Sequence, residues 1–184
     1  MYKTVVTVRG GLIMNRQIIF KAKRKDWEEF PKDQWWVEGD LLHTRYDDIV
    51  LISNFEDQLF RCDGNTVCQF TGLHDNTKWG DLTEAEKESF LSDWNYREDR
   101  KNKIEDWSGR KIWENDIVSC MKYIDGNFVK YCIEIGYVEM NHGAFGLHRI
   151  QNDAYYRSFK DWLENYEYEV VGNILDDKEL LEVE

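Results

Sequence analysis

The chain has 184 residues and a net charge of −12, and its eight Trp, ten Tyr and nine Phe supply ample apolar surface. That length fits one domain or two small lobes with a real core, and no apolar run approaches the roughly 18 residues of a membrane helix. The opening "MYKTVVTVRGG" lacks the features of a signal peptide, so a cytoplasmic protein is expected, and the net acidity argues against an extended phosphate-binding face.

In chain order the sequence reads as strand-rich. "TVVTV" alternates and is β-branched, and "QIIFKA" is a second short run. A polar loop around Pro31 follows, then "WWVEGDLLH", "DDIVLIS", "DQLFRC" and "TVCQFTG" as successive strands. Asp63-Gly64-Asn65 predicts a hairpin turn between the last two. Residues 81–105 predict one long helix opening with a Thr83/Glu86 capping box, with Phe90, Leu91 and Trp94 as its apolar stripe. Strands resume with "KIWENDIVSCMKY", Asp125-Gly126 reads as a turn, and "FVKYCIEIGYVEM" and "GAFGLHR" follow. Phe159, Trp162, Leu163 and Tyr166 recur at helical spacing, predicting a short helix within 156–166. "YEVVGNILDDKELL" closes as strand, turn and helical turn.

The charge is uneven. Residues 1–25 hold seven Lys or Arg and no acid, whereas 151–184 hold ten acids and three bases. One phrase also recurs: "WVEGDLL" (Trp36 to Leu42) and "IWENDIV" (Ile112 to Val118). Gly39 and Asn115 tolerate positive φ best, so each phrase predicts a tight turn into a buried strand and together they suggest two related β-units. Chance recurrence of common turn chemistry is the alternative. The expected fold is mostly β (α+β), with small β-barrel-like units, an inserted helix and a short C-terminal helix.

Cys62, Cys68, Cys120 and Cys132 match no zinc or redox spacing, and buried free thiols are expected, with Cys62 and Cys68 facing each other across a hairpin. The four histidines are scattered outside any catalytic or metal-binding motif. No cofactor and no metal are expected.

The stretches "RQIIFKAKRKD", "WVEGDLL", "CQFTGLHD", "GRKIWENDIV" and "YEVVGNILDDKELL" together resemble the YopX family of phage and prophage proteins. Thr71-Gly72-Leu73, Gly109 to Val118 and Val170 to Ile174 stand in the family's order across about residues 14–184. Two departures are an expansion of about 30 residues after Thr-Gly-Leu and Asn115 where the family usually has Gly. The resemblance implies a β-rich phage accessory protein and carries over no reaction or catalytic residue. It also places the family start near Met14, so 1–13 read as a translated leader or an edge strand. The units are then 14–76, an inserted helical segment 77–108, and 109–184 with the C-terminal helix.

Three function classes follow. The first is a non-enzymatic binding protein acting on a host target, either a host protein or a small anionic ligand of nucleotide type. Trp36, Trp113 and Tyr137 would furnish walls and Arg45, Arg110 and Arg149 would neutralise charge, although for any single aromatic a place in the core is the simpler reading. A homo-oligomer is expected to build such a site. The second class is nucleic-acid binding through Lys21, Lys23, Arg24, Lys25 and Trp27, or DNA mimicry by the acidic C-terminal segment. The third is a hydrolase, for which the sequence offers no phosphate loop, nucleophile elbow or zinc motif. Glu38/Asp40 and Glu114/Asp116 could bind a metal, but their role in turns explains them adequately.

Overall fold

The computed structural model describes residues 18–44, 49–54, 56–95, 98–124, 127–149, 156–159 and 166–181. In chain order the strands are β1 (Phe20–Lys23), β2 (Trp36–His43), β3 (Ile49–Ser53), β4 (Leu59–Asp63) and β5 (Cys68–His74). Helix α1 (Glu84–Ser92) is followed by β6 (Trp94–Asn95), β7 (Arg100–Lys101) and β8 (Lys111–Trp113). The last five are β9 (Asp116–Ile124), β10 (Asn127–Asn141), β11 (Ala144–Arg149), β12 (Tyr156–Ser158) and β13 (Tyr166–Asn173). They form an antiparallel sheet ordered β4-β3-β2-β1-β5-β8, a second ordered β12-β11-β10-β9-β13, and a β6-β7 hairpin. The expected mostly β fold is what forms, but neither sheet closes into a barrel among the described residues. The first curls: Arg24 bridges Cys62, and Lys25 N donates to Arg61 O at 2.9 Å. The chain then turns away at Trp27–Glu29, so this contact never becomes a ladder.

Alternation decides what each strand buries. Ala22, Val37, Val50, Ile52 and Cys62 line the inside of the curl. Val118, Cys120, Val138, Leu147 and Tyr168 gather under the second sheet with Ile112, Phe145 and Phe159. Ile19, Cys68, Phe70 and Trp113 make a third cluster, against which Trp36 and Leu175 pack. Each full burial of such a side chain contributes about 1.5–3 kcal/mol. The sheets share one segment: β8, which the sequence assigns to the second unit, pairs with β5 through Phe70 and Trp113. Thr71 Oγ1 donates to Ile112 O at 2.7 Å, and the chain then turns at Glu114-Asn115 into β9.

The repeated phrase has two structures. Asn115 sits at φ 67 in a true turn, as its side chain predicts. Gly39 instead lies inside β2 with no left-handed φ. It is glycine because a Cβ there would stand 1.9 Å from Ser53 O. The two segments therefore diverge at their middle residue, and the duplication of turns is corrected. Gly64–Thr66 is likewise a 3-10 turn rather than a hairpin. It carries the chain from β4 to β5, which β3, β2 and β1 separate. Cys62 and Cys68 are thus buried and free in different clusters, and the side chain of Cys132 lies outside the description.

The inserted helix is shorter than the polarity of its sequence implies. The Thr83/Glu86 capping box is present, but α1 ends at Ser92. Trp94, expected to extend the helical stripe, lies instead in β6, and the β6-β7 hairpin folds back to satisfy the open helix end. Asn102 Nδ2 donates to Phe90 O at 3.0 Å, Asn102 N to Asp93 O at 2.9 Å, and Lys101 Nζ to Ser92 O. Phe90 meets Trp79 and Trp107 in edge-to-face contacts with centroids 5.8 and 5.1 Å away, a small aromatic core of its own. The helix expected within 156–166 is also corrected at its start: Tyr156–Ser158 are the strand β12 on the edge of β11, and 160–165 lie outside the described residues. So do the leader region 1–13 and the Asp125-Gly126 turn.

Candidate functional site

Lys23 of the basic N-terminal run meets Asp176 of the acidic C-terminal run, and Lys21 meets the second repeated phrase at Asp116. Lys21 and Lys23 alternate with Ala22 on β1, so both leave the curl on the face opposite to its core. Lys21 Nζ lies 2.9 Å from Asp116 Oδ1, the last acid of the second repeated phrase. The same carboxylate accepts from Asn173 Nδ2 at 2.9 Å and from Trp113 N at 2.8 Å. Lys23 pairs with Asp176, each side chain only 6% exposed, and Trp36 Nε1 donates to Asp176 Oδ2 at 2.9 Å. Four tryptophans surround the two ammonium groups. Lys21 stands 5.0 Å from the centroid of Trp36 and 5.3 Å from that of Trp113, and Lys23 stands 4.6 and 5.1 Å from Trp27 and Trp35. Ring faces and carboxylates together compensate the desolvation of these charges. This seam joins the two sheets. It leaves Lys21 and Lys23 no free face for phosphates.

A separate concavity forms where β13 meets the segment after β5. Asp75 is 4% exposed and accepts from four donors: Thr77 N at 3.0 Å, Thr77 Oγ1 at 2.8 Å, Arg110 N at 2.8 Å and Val170 N at 3.1 Å. Asn76 then imitates a neighbouring strand, its N donating to Tyr168 O and its Oδ1 accepting from Tyr168 N, both at 2.8 Å. The close approach requires Gly109, at φ 102, where a Cβ would lie 2.0 Å from Asp75 O. The resulting cleft has a volume of about 250 Å³. Met121 contributes an apolar surface, with Glu167 and Glu169 from β13 on one side and Thr77, Lys78, Asp81 and Arg110 on the other.

The charge of the cleft is set by a residue that does not line it. Glu86, fixed by its capping-box bonds to Thr83, accepts from Arg110 Nε at 3.2 Å and Nη2 at 2.9 Å. Burial pushes the Glu86 carboxyl up, but the Thr83 and Arg110 hydrogen bonds outweigh it and hold the group below its ordinary value. Arg110 is thus neutralised from above. Asp81, Glu167 and Glu169 have no ion pair among the described residues, against Lys78 alone. The cleft is acidic.

The six residues singled out from sequence occupy separate places. Trp36 and Trp113 come together at Lys21 in the seam, and Arg110 lies in the cleft. Tyr137 stacks on His148 in β11, centroids 4.9 Å apart, and His148 Nδ1 is 3.2 Å from Glu139 Oε1. Arg149 ends β11 opposite Gly136, its side chain outside the description, and Arg45 lies outside the described residues. Sequence reasoning missed Asp75, Asn76, Glu167 and Glu169. An Asp-Asn pair after a strand is a turn signal and was the available hint for the first two.

A family model described as YopX protein matches residues 81–182, which take in α1, the "GRKIWENDIV" stretch and the whole closing phrase. The earlier stretches "RQIIFKAKRKD", "WVEGDLL" and "CQFTGLHD" precede the matched range. No curated protein matches the chain.

Proposed function

This chain belongs to the YopX family, and we propose from that premise that it is a phage-type accessory protein that binds a host protein without turnover, through the cleft beside β13. The observation that supports this reading is the charge of that cleft. A phosphate or nucleotide would have to displace Glu86 from Arg110 and then lie against Asp81, Glu167 and Glu169. A basic side chain meets no such opposition. Its aliphatic stem can lie on Met121 while its head reaches Glu167 or Glu169 in a charge-assisted hydrogen bond. The host target is accordingly one that presents an exposed Arg or Lys, and the acidic rim speeds encounter with a basic surface.

The test uses the wild-type chain and the Glu167→Lys/Glu169→Lys variant as baits in a host lysate. Proteins retained by the first and lost by the second are identified, purified and titrated directly. Loss of one charge-assisted contact weakens binding by about ten- to a hundredfold, or roughly 1.5–3 kcal/mol. Equal retention by both baits refutes the reading. Calorimetric heat with a nucleotide that disappears in Arg110→Ala replaces it with the small-anion alternative, and a chemically altered nucleotide overturns the absence of turnover.

A further inference from the structure

Among the described residues the outer face of β2, β3 and β4 is left exposed, and its pattern names its partner. The register places Asp40, Ser53 and Leu59 in one row across the three strands and Leu42, Leu51 and Arg61 in the next. Val50, Ile52 and Cys62 point the other way into the core, which fixes these six as outward. Leu42 is 44% exposed and Leu59 61% exposed, at diagonally opposite corners. Asp40 and Arg61 occupy the other two corners. They lie two strand spacings apart, about 10 Å, and one row apart, about 7 Å, too far to pair within one chain. Neither has an ion pair among the described residues.

We propose that this face pairs with the same face of a second copy of the chain. A two-fold axis lying in the interface along the Leu42–Leu59 diagonal sets Leu42 against Leu42 of the copy and Leu59 against Leu59. The same operation sets Asp40 against Arg61 of the copy, twice. The strands then cross at a steep angle, as in orthogonal sheet packing, and the contact is isologous, as two-fold symmetry requires. The patch is self-complementary only in this arrangement. An axis along the strands faces Asp40 with Leu59, and an axis across them faces Asp40 with Leu42. Three short strands make a small interface, so the association is weak and concentration-dependent.

Sedimentation equilibrium of the full chain, from low micromolar to near-millimolar concentration, tests this with four surface variants whose fold is checked by circular dichroism. Wild type shifts from monomer to dimer. Leu42→Asp weakens the dimer at least tenfold. Asp40→Arg alone and Arg61→Asp alone each weaken it at least tenfold, because each sets like charges together twice. The double exchange Asp40→Arg/Arg61→Asp restores it, which a merely damaged surface would not do. A wild-type chain monomeric throughout overturns the proposal, as does a dimer indifferent to Leu42→Asp or a double exchange as weak as the single ones.

Discussion

Replacing Asp116 by Ala removes the acceptor at the centre of the seam. Lys21 loses its counter-ion, and Trp113 N and the Asn173 amide lose their acceptor. Deleting one partner of a buried ion pair costs about 3–5 kcal/mol. Lys21 retains 13% side-chain exposure, so the lower end applies to it. Each neutral donor left without a partner adds about 1 kcal/mol. The expected loss is about 4–5 kcal/mol, a large part of the 5–15 kcal/mol that holds a domain together. For a chain of this length it lowers Tm by about 8–20 °C. Urea denaturation of wild type, Lys21→Met, Asp116→Asn and the double variant separates pair from packing. Removing both charges should cost less than the two single losses added, with a coupling of about 1.5–3 kcal/mol. Additivity within about 0.5 kcal/mol would show that the two groups do not sense each other and would refute the seam as described.

Asn115→Gly should be neutral or slightly stabilising, whereas Asn115→Val should cost on the order of 1 kcal/mol or more, because φ is 67 there; equal stability of all three proteins removes the turn argument. Tyr168→Phe should be neutral or stabilising by up to about 1 kcal/mol, since its buried hydroxyl has no hydrogen-bond partner among the described residues; a loss above about 2 kcal/mol in thermal denaturation would reveal one. Burial pushes the Cys62 and Cys68 thiols up from 9.0 to about 11, so the folded state holds protons that the unfolded state releases. Stability should therefore fall as pH rises from 9 towards 11, with the full contribution present below 9. Site-resolved thiol labelling at pH 8 should modify these two only as fast as the chain unfolds, and rapid labelling of the folded protein would contradict their burial.

Local physics wrote much of this protein into its sequence. Alternation in "DDIVLIS" and "GAFGLHR" specifies strands whatever they pair with, since a period of two leaves one face for the core. The Thr83/Glu86 box specifies a helix start because both bonds span three residues. Asn115 specifies a left-handed turn because its short amide tolerates one. Burial of the thiols follows from their apolar surroundings. Three-dimensional pairing decided the rest. Gly39 and Asn115 stand in the same phrase, yet one answers to Ser53 O from a neighbouring strand and the other to its own φ. The length of α1 depended on Asn102 and Lys101 returning to its open end, which polarity along the chain does not reveal. The Tyr156 segment, helical by spacing, became an edge strand because β11 offered unpaired backbone. Most of the candidate site was illegible for the same reason. Glu167 and Glu169 look like solvent-facing residues of any amphipathic strand. Only the crossing of β13 by Asp75-Asn76, and of Arg110 by Glu86, gives them a cleft and an uncompensated charge, because the hydrogen bonds that hold Asp75 and Asn76 on β13 span 95 and 92 residues of sequence and exist only once the fold has set the distance.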